Sequence, residues 1–154
     1  MENLYVRFAN ESDCKNIFEW RNDKYTRQMS YSNEVVKWKH HVNWFTKSLI
    51  SENRILVITE KSHEGKVALV YFDIKKSEAI ISINLNPIFR GKGLAKSCLF
   101  KSIEYFLKNY VFIKVLAAEI RQENISSIKI FSSIGFKKIN VENGIEFYKK
   151  NINE

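Results

Sequence analysis

At 154 residues the chain is large enough for one domain, 1–154, around a single core. A hydrophobic content of 45% with 14% aromatics excludes a disordered chain. The net charge of +8, from 25 Lys+Arg against 17 Asp+Glu, suits an anionic partner, but no dense basic run is interleaved with aromatics, which speaks against nucleic acid.

In chain order, residues 4–8 read as a strand. Asn10 can cap a helix that carries Asp13 in its first turn and runs to about Trp20. Residues 20–34 are polar and aromatic without periodicity and read as an ordered loop of a length that is often functional. Val35, Trp38, Val42, Phe45 and Leu49 recur at helical spacing and predict a second helix over 35–50. Strands follow at 54–60 and 67–74, joined by a turn at 62–65. The β-branched run 80–85 is a third strand of this group, ended by Asn86-Pro87 because Pro87 has no N–H to give to a ladder. After a loop with Arg90, Gly91, Lys92 and Gly93, a long helix has Leu94, Cys98, Ile103 and Leu107 near one face, widened by Ala95, Leu99 and Phe106. A strand at 114–119, a helix from Asn124 to Ile134 with Gly135 beyond its end, and a hairpin of 136–141 and 145–149 around Asn143-Gly144 complete the chain. The order β-α-α-β-β-β-α-β-α-β-β is an α+β arrangement with a mixed sheet and one crossover on the long helix.

Cys14 and Cys98 form no C-x-x-C and read as reduced, buried and structural, in a cytoplasmic setting. The start MENLYVRF has no charged segment followed by an apolar one, and no apolar run approaches membrane-spanning length. No His/Cys/Asp/Glu cluster has the spacing of metal ligands.

The stretch 80–99, IISINLNPIFRGKGLAKSCL, is strand, glycine loop, helix. Two glycines let the backbone approach a ligand, and the first turn of a helix offers N–H groups that suit phosphate. The spacing is neither the Walker G-x-x-x-x-G-K-S/T nor the dinucleotide G-x-G-x-x-G. It resembles the acyl-CoA pyrophosphate loop of the GNAT superfamily of N-acyltransferases, Q/R-x-x-G-x-G/A, with Gly91 and Gly93 matching and Ile88 departing where Gln or Arg is preferred. NISSIKIFSSIGF, 124–136, is similar to a second block of that family, N-x-x-S/A-x-x-x-Y/F-x-x-x-G-F, and the element order matches its fold.

The resemblance implies a GNAT fold: a mixed, twisted sheet of about seven strands with four helices and a splay between the fourth and fifth strands. It implies acetyl-CoA as co-substrate and no metal. The amide near Leu85 would face the thioester carbonyl; amides of Arg90, Gly91, Lys92, Gly93, Leu94 and Ala95 would hold phosphates, with Lys92 and Lys96 as charge partners; and the Asn124 side chain would reach the pantetheine arm as well as cap its helix. Many relatives carry a Tyr, able to protonate the thiolate, where this chain has Phe131, so that role is vacant or filled from elsewhere.

Glu119 is the candidate base if its strand face meets the splay, or else an ion-paired surface residue. Ser82 and Asn84 alternate on one strand face and can hydrogen-bond a substrate or satisfy each other in a polar interior. Trp20-Arg21-Asn22, Arg27, Met29 and the H-x-x-W-F of His41–Phe45 resemble N-acetyltransferases acting on nucleotide-linked amino sugars, of the pseudaminic acid pathway type. That resemblance gives Arg21 and Arg27 a diphosphate to pair and Tyr25, Tyr31 or Trp44 a uracil or sugar face to stack on, with Asn22 in the same wall. His41 would bond a sugar hydroxyl or act as base, or else be a partly buried helix histidine; His40 and His63 read as exposed. A protein or peptide amine acceptor, and a non-catalytic CoA-binding module, are the competing readings. The expected partner is a small-molecule acceptor, with no nucleic acid and no membrane, and the chain would act as a monomer or homodimer.

Overall fold

The computed structural model describes residues 3–153. Seven strands form one sheet: β1 (Leu4–Phe8), β2 (Arg54–Lys61), β3 (Gly65–Lys75), β4 (Glu78–Leu85), β5 (Val115–Arg121), β6 (Lys137–Glu142) and β7 (Ile145–Asn151). Their spatial order is β1-β2-β3-β4-β5-β7-β6. Only β4 and β5 run parallel, because α4 (Ala95–Asn109) carries the chain back between them. The remaining helices are α1 (Cys14–Asn22), α2 (Lys24–Met29), α3 (Trp38–Ile50) and α5 (Ile125–Ser133).

Strand residues alternate between faces, and both faces are covered. Ile55, Val57, Val70 and Phe72 pack with Leu99 and Phe106 of α4, where the rings of Phe72 and Phe106 stack at 3.9 Å. Leu56, Ile58 and Leu69 point the other way, onto Ile17 and Trp20 of α1 and Phe45 of α3. The turn between β6 and β7 has Asn143 at φ 53° and Gly144 at φ 79°, the left-handed pair that the Asn-Gly sequence favours.

The β4–β5 pairing stops early. Glu78–Ile80 meet Val115–Ala117. Beyond them, Ile81–Leu85 pair only with β3 and Ala118–Arg121 only with β7. The expected splay is therefore a wedge between two strands whose other edges are tied down.

Helix α1 is anchored by a buried carboxylate. Asp13 accepts two bonds from Arg7 at 2.8 Å each, one from Lys66 at 2.8 Å and one from the Asn10 N–H at 2.8 Å. Asn10 in turn accepts from the Ser12 N–H, which closes the capping box. Burial alone would raise the Asp13 pKa; the bonds from Arg7, Lys66 and Asn10 outweigh it and hold the carboxyl below its usual range.

Two local expectations change. The segment 20–34 is not all loop: Asp23 is extended (φ −56°, ψ 133°), ends α1, and caps α2 by accepting from the Thr26 N–H at 3.1 Å. Among the described residues, α2 thus adds one short helix to the four expected, α1, α3, α4 and α5. The next helix begins at Trp38, not Val35, because the Asn22 side chain holds Val36 as a strand would, accepting its N–H at 2.7 Å and donating to its carbonyl at 2.8 Å. The buried face of α3 is then His41, Phe45 and Ser48, while Val35 and Trp38 are exposed. Cys14 and Cys98 form no disulfide. Among the described residues no helix is long and apolar enough to cross a membrane.

Candidate active site

The glycine loop is shaped at both ends. Asn86 accepts from the Ile88 N–H at 3.2 Å and donates to the Lys66 carbonyl at 2.8 Å, seating a single helical turn, Pro87–Phe89. Phe89 and Leu94 are buried together with Val67 and Cys98, so the loop hangs between two apolar anchors. Gly91 (φ 78°) and Gly93 (φ 72°) lie in the left-handed region, and a Cβ on either would meet nothing within 4 Å. Glycine is needed there for backbone conformation, and the space above it is open. Leu94, at the start of α4, makes no side-chain cap bond, which leaves the first amides of the helix for a ligand.

This loop forms one end of a cleft of about 330 Å³ that reaches the splay, bordered by Ile83, Asn84 and Leu85 of β4 and by Asn124, Ser127 and Ile130 of α5. The cleft fits acetyl-CoA: a cradle of open glycines and helix amides at one end, and an exposed strand edge at the other. Arg90, Gly91, Gly93, Leu94, Ala95 and Lys96 line it, whereas Lys92 lies over the Phe89 ring at 5.5 Å and does not. Arg90 bonds Asp23 at 2.6 Å and covers the Tyr25 ring at 4.8 Å, tying the loop to α2. Asn124 caps α5 by accepting from the Ser127 N–H at 3.2 Å while bordering the cleft.

A second cavity of about 470 Å³ opens on the α1–α3 side of the sheet. It shares Met29, Ser30, Asn84, Asn124 and Ser127 with the first, so the two meet at the splay. Ser82 and Asn84 of β4 and Glu119 and Arg121 of β5 line it, because the alternation that buries Ile81, Ala118 and Ile120 turns their neighbours this way. The segment 30–37 forms its roof. Tyr31 donates its hydroxyl to Glu119, and Arg121 donates to the Ser30 carbonyl at 3.1 Å, strapping the roof to β5. Partial burial, and then the carboxylate it donates to, push the Tyr31 phenol up to about 12. Arg27 bonds the Asn22 carbonyl at 3.2 Å and the Asn33 carbonyl at 3.0 Å, and it also lines the cavity.

Of the expected acceptor and catalytic residues, Arg21, Arg27, Tyr31, Ser82, Asn84 and Glu119 come together on this wall. Three do not. His41 is fully buried, accepts from Arg21 at Nδ1 (3.0 Å) and donates from Nε2 to the Cys14 carbonyl (2.8 Å). An arginine can only donate and a carbonyl only accept, so the ring is held as the Nε2–H tautomer. Burial, with Arg21 adding to it, pushes its pKa down against the pull of the Cys14 carbonyl. Both nitrogens are spent outside the cavity, so His41 is a positioning residue for Arg21 and not a base. Trp44 lies under the Arg21 guanidinium at 4.5 Å and edge-on to Tyr71, away from the cavity wall. Asn22 spends its amide on Val36. Phe131 is buried in the core, 5.1 Å from Phe136 and edge-on to it, with its ring bordering the cavity. His40 and His63 are exposed, and His40 reaches the cavity rim.

Arg121, Glu34 and Lys37 also line the cavity and were not singled out from the sequence. Arg121 was within reach, since it follows Glu119 by two on the same strand; Glu34 and Lys37 sit in aperiodic chain with no signal. Among the described residues no group of three or more His, Cys, Asp or Glu is placed to hold a metal ion.

A parallel pair of strands that splays beside a glycine loop and a bare helix start is the frame of an acyl-CoA-dependent transferase. Residues 3–137 match the family model described as "Acetyltransferase (GNAT) domain", and the chain belongs to that family. The cofactor cleft described above is the one such a domain offers to acetyl-CoA. A curated relative, an uncharacterized protein of Methanocaldococcus jannaschii, is 28% identical over 141 residues, covering 88% of this chain; the chain spans only 28% of that relative's length. The crystal structure of a domain from the same organism superposes with TM-score 0.85 at 25% identity, covering 99% of this chain and all of that one. Spermidine N-acetyltransferase from Vibrio cholerae, in complex with CoA and spermine, superposes with TM-score 0.86 at 15% identity over 98% of this chain and 96% of its own, which is likeness of fold.

Proposed function

We propose that the chain moves an acetyl group from acetyl-CoA to the primary amine of a small molecule that also carries negative charge, with a nucleotide-linked amino sugar as the leading acceptor. One observation carries the choice of acceptor. The second cavity is lined by four cationic side chains, Arg21, Arg27, Lys37 and Arg121, against two carboxylates, Glu34 and Glu119. An acceptor with phosphates gains charge-assisted bonds on such a wall; a polyamine or a basic peptide meets repulsion.

In this reading amides of residues 90–95 hold the pyrophosphate, the free edge of β4 near Leu85 positions the thioester, and Asn124 steadies the pantetheine arm. The amine enters from the opposite side, under the 30–37 roof. Glu119 takes a proton from it as it attacks the thioester carbonyl, and Ser82 and Asn84 hydrogen-bond the acceptor. Arg21 and Arg27 pair the diphosphate, with Arg21 aimed by His41 and Trp44.

The test is a thiol-release screen with acetyl-CoA over UDP-, dTDP- and CMP-linked amino sugars, spermidine and a lysine-rich peptide. Turnover fastest on a nucleotide-linked amine is expected. Turnover fastest on spermidine or the peptide would overturn the acceptor, and an absence of thiol release with every amine would favour a non-catalytic CoA-binding module.

A further inference from the structure

Acetyl transfer frees one proton at the amine and needs one at sulfur. Phe131 has none to give. Of the hydroxyls on the cavity wall, Thr26 is bonded to Asp23 and Ser30 donates to the Thr26 carbonyl. Tyr71 is packed edge-on against Trp44 with Arg54 over its ring at 6.0 Å. Tyr31 alone on this wall, among the described residues, joins its hydroxyl to a carboxylate of the same cavity, that of Glu119. Tyr31 lines the acceptor cavity, next in the chain to a residue where the two cavities meet. Its neighbour Ser30 borders both the cofactor cleft and the acceptor cavity, and the Arg121 bond to the Ser30 carbonyl fixes the segment against β5.

We propose that Tyr31 is the proton carrier of the reaction, passing to the departing CoA sulfur the proton that Glu119 takes from the amine. This rests on the reading of Glu119 as base. As the C–N bond forms and the C–S bond breaks, the amine proton goes to Glu119, the Tyr31 O–H proton goes to sulfur, and Glu119 returns its proton to the Tyr31 oxygen along the existing hydrogen bond. One proton moves from nitrogen to sulfur, the products are the amide and the free thiol, and both side chains end as they began. Tyr31 is still a phenol well above neutral pH, so it has its proton to give.

The first arm of the test needs no acceptor. CoA and desulfo-CoA are titrated calorimetrically into the parent and Tyr31→Phe at pH 7 and pH 9.5, on either side of a thiol pKa of about 8.5. At pH 9.5 the parent should hold CoA about tenfold tighter than desulfo-CoA, because the thiolate accepts from Tyr31, and Tyr31→Phe should erase that preference with desulfo-CoA affinity unchanged. The charged groups facing the pair, Arg27, Glu34, Lys37, His40 and Arg121, act on the thiolate in parent and variant alike, so they cancel when the two ratios are compared. An equal CoA to desulfo-CoA ratio in parent and variant overturns the proposal. So does a Tyr31→Phe enzyme whose only change is a higher acceptor KM, the mark of a stacking or binding role. Full turnover in Glu119→Gln would sink the base reading by itself, while the binding ratio still reports on Tyr31.

Discussion

The cofactor cleft and the acceptor cavity meet at one splay and are made of different material. The cleft is backbone: two glycines with positive φ, a helix start without a side-chain cap, and the edge of β4. The cavity is side chains, brought from α1, α2, the roof segment, β4 and β5. A backbone site tolerates Ile88 where the family pattern prefers Gln or Arg, because the amides remain. A side-chain site has no such reserve, and several wall residues are also held structurally: Arg21 by His41, Arg27 by two carbonyls, Tyr31 by Glu119. The two halves should therefore fail independently.

The largest effect is expected at Glu119. Glu119→Gln should lower kcat about a hundredfold or more, the usual scale for losing a general base, with acetyl-CoA affinity unchanged in a binding titration. Next is the anchor of α1, which carries the acceptor side. Asp13→Asn should cost about 3 kcal/mol in urea unfolding, since Arg7 and Lys66 lose the carboxylate they converge on. The same group sets an acid limit. Its folded pKa is depressed, so its stabilisation is complete above the unfolded value of about 3.9 and is lost as pH falls through the folded one. Stability measured against pH in Asp13→Asn should lack that acid-dependent loss. On the cofactor side, Gly91→Trp fills the open space above the loop and strains a φ of 78°; acetyl-CoA should bind about a hundredfold more weakly, with the fold kept. Smallest is Phe131→Leu, an apolar exchange in the core. It should retain most turnover and cost roughly 1 kcal/mol; a large loss of kcat with both substrates bound would give the ring a chemical role.

The same contrast explains what the sequence made legible. The glycine loop, the Asn124 cap and the Asn-Gly hairpin are local, each contained in a few residues, and the fold followed from their order with apolar periodicity. The acceptor side depends on contacts across the chain: Tyr31 to Glu119 spans 88 residues, Ser30 to Arg121 spans 91, and Asp23 to Arg90 spans 67. Helical spacing placed His41 on α3 but not how deep it lay, because the helix start was set by Asn22 reaching Val36 rather than by α3 itself. Trp44 was legible as a ring for the acceptor site, and only packing revealed that it lies under Arg21, behind the cavity wall that Arg21 lines.

The acceptor reading is tested most directly by kcat/KM for a UDP-linked amino sugar against the same sugar without its nucleotide, in the parent and in Arg27→Ala. A diphosphate paired on the cationic wall predicts a preference of about tenfold or more in the parent that shrinks in the variant and weakens with added salt. Equal values on the two sugars, in the parent and in the variant alike, would contradict it.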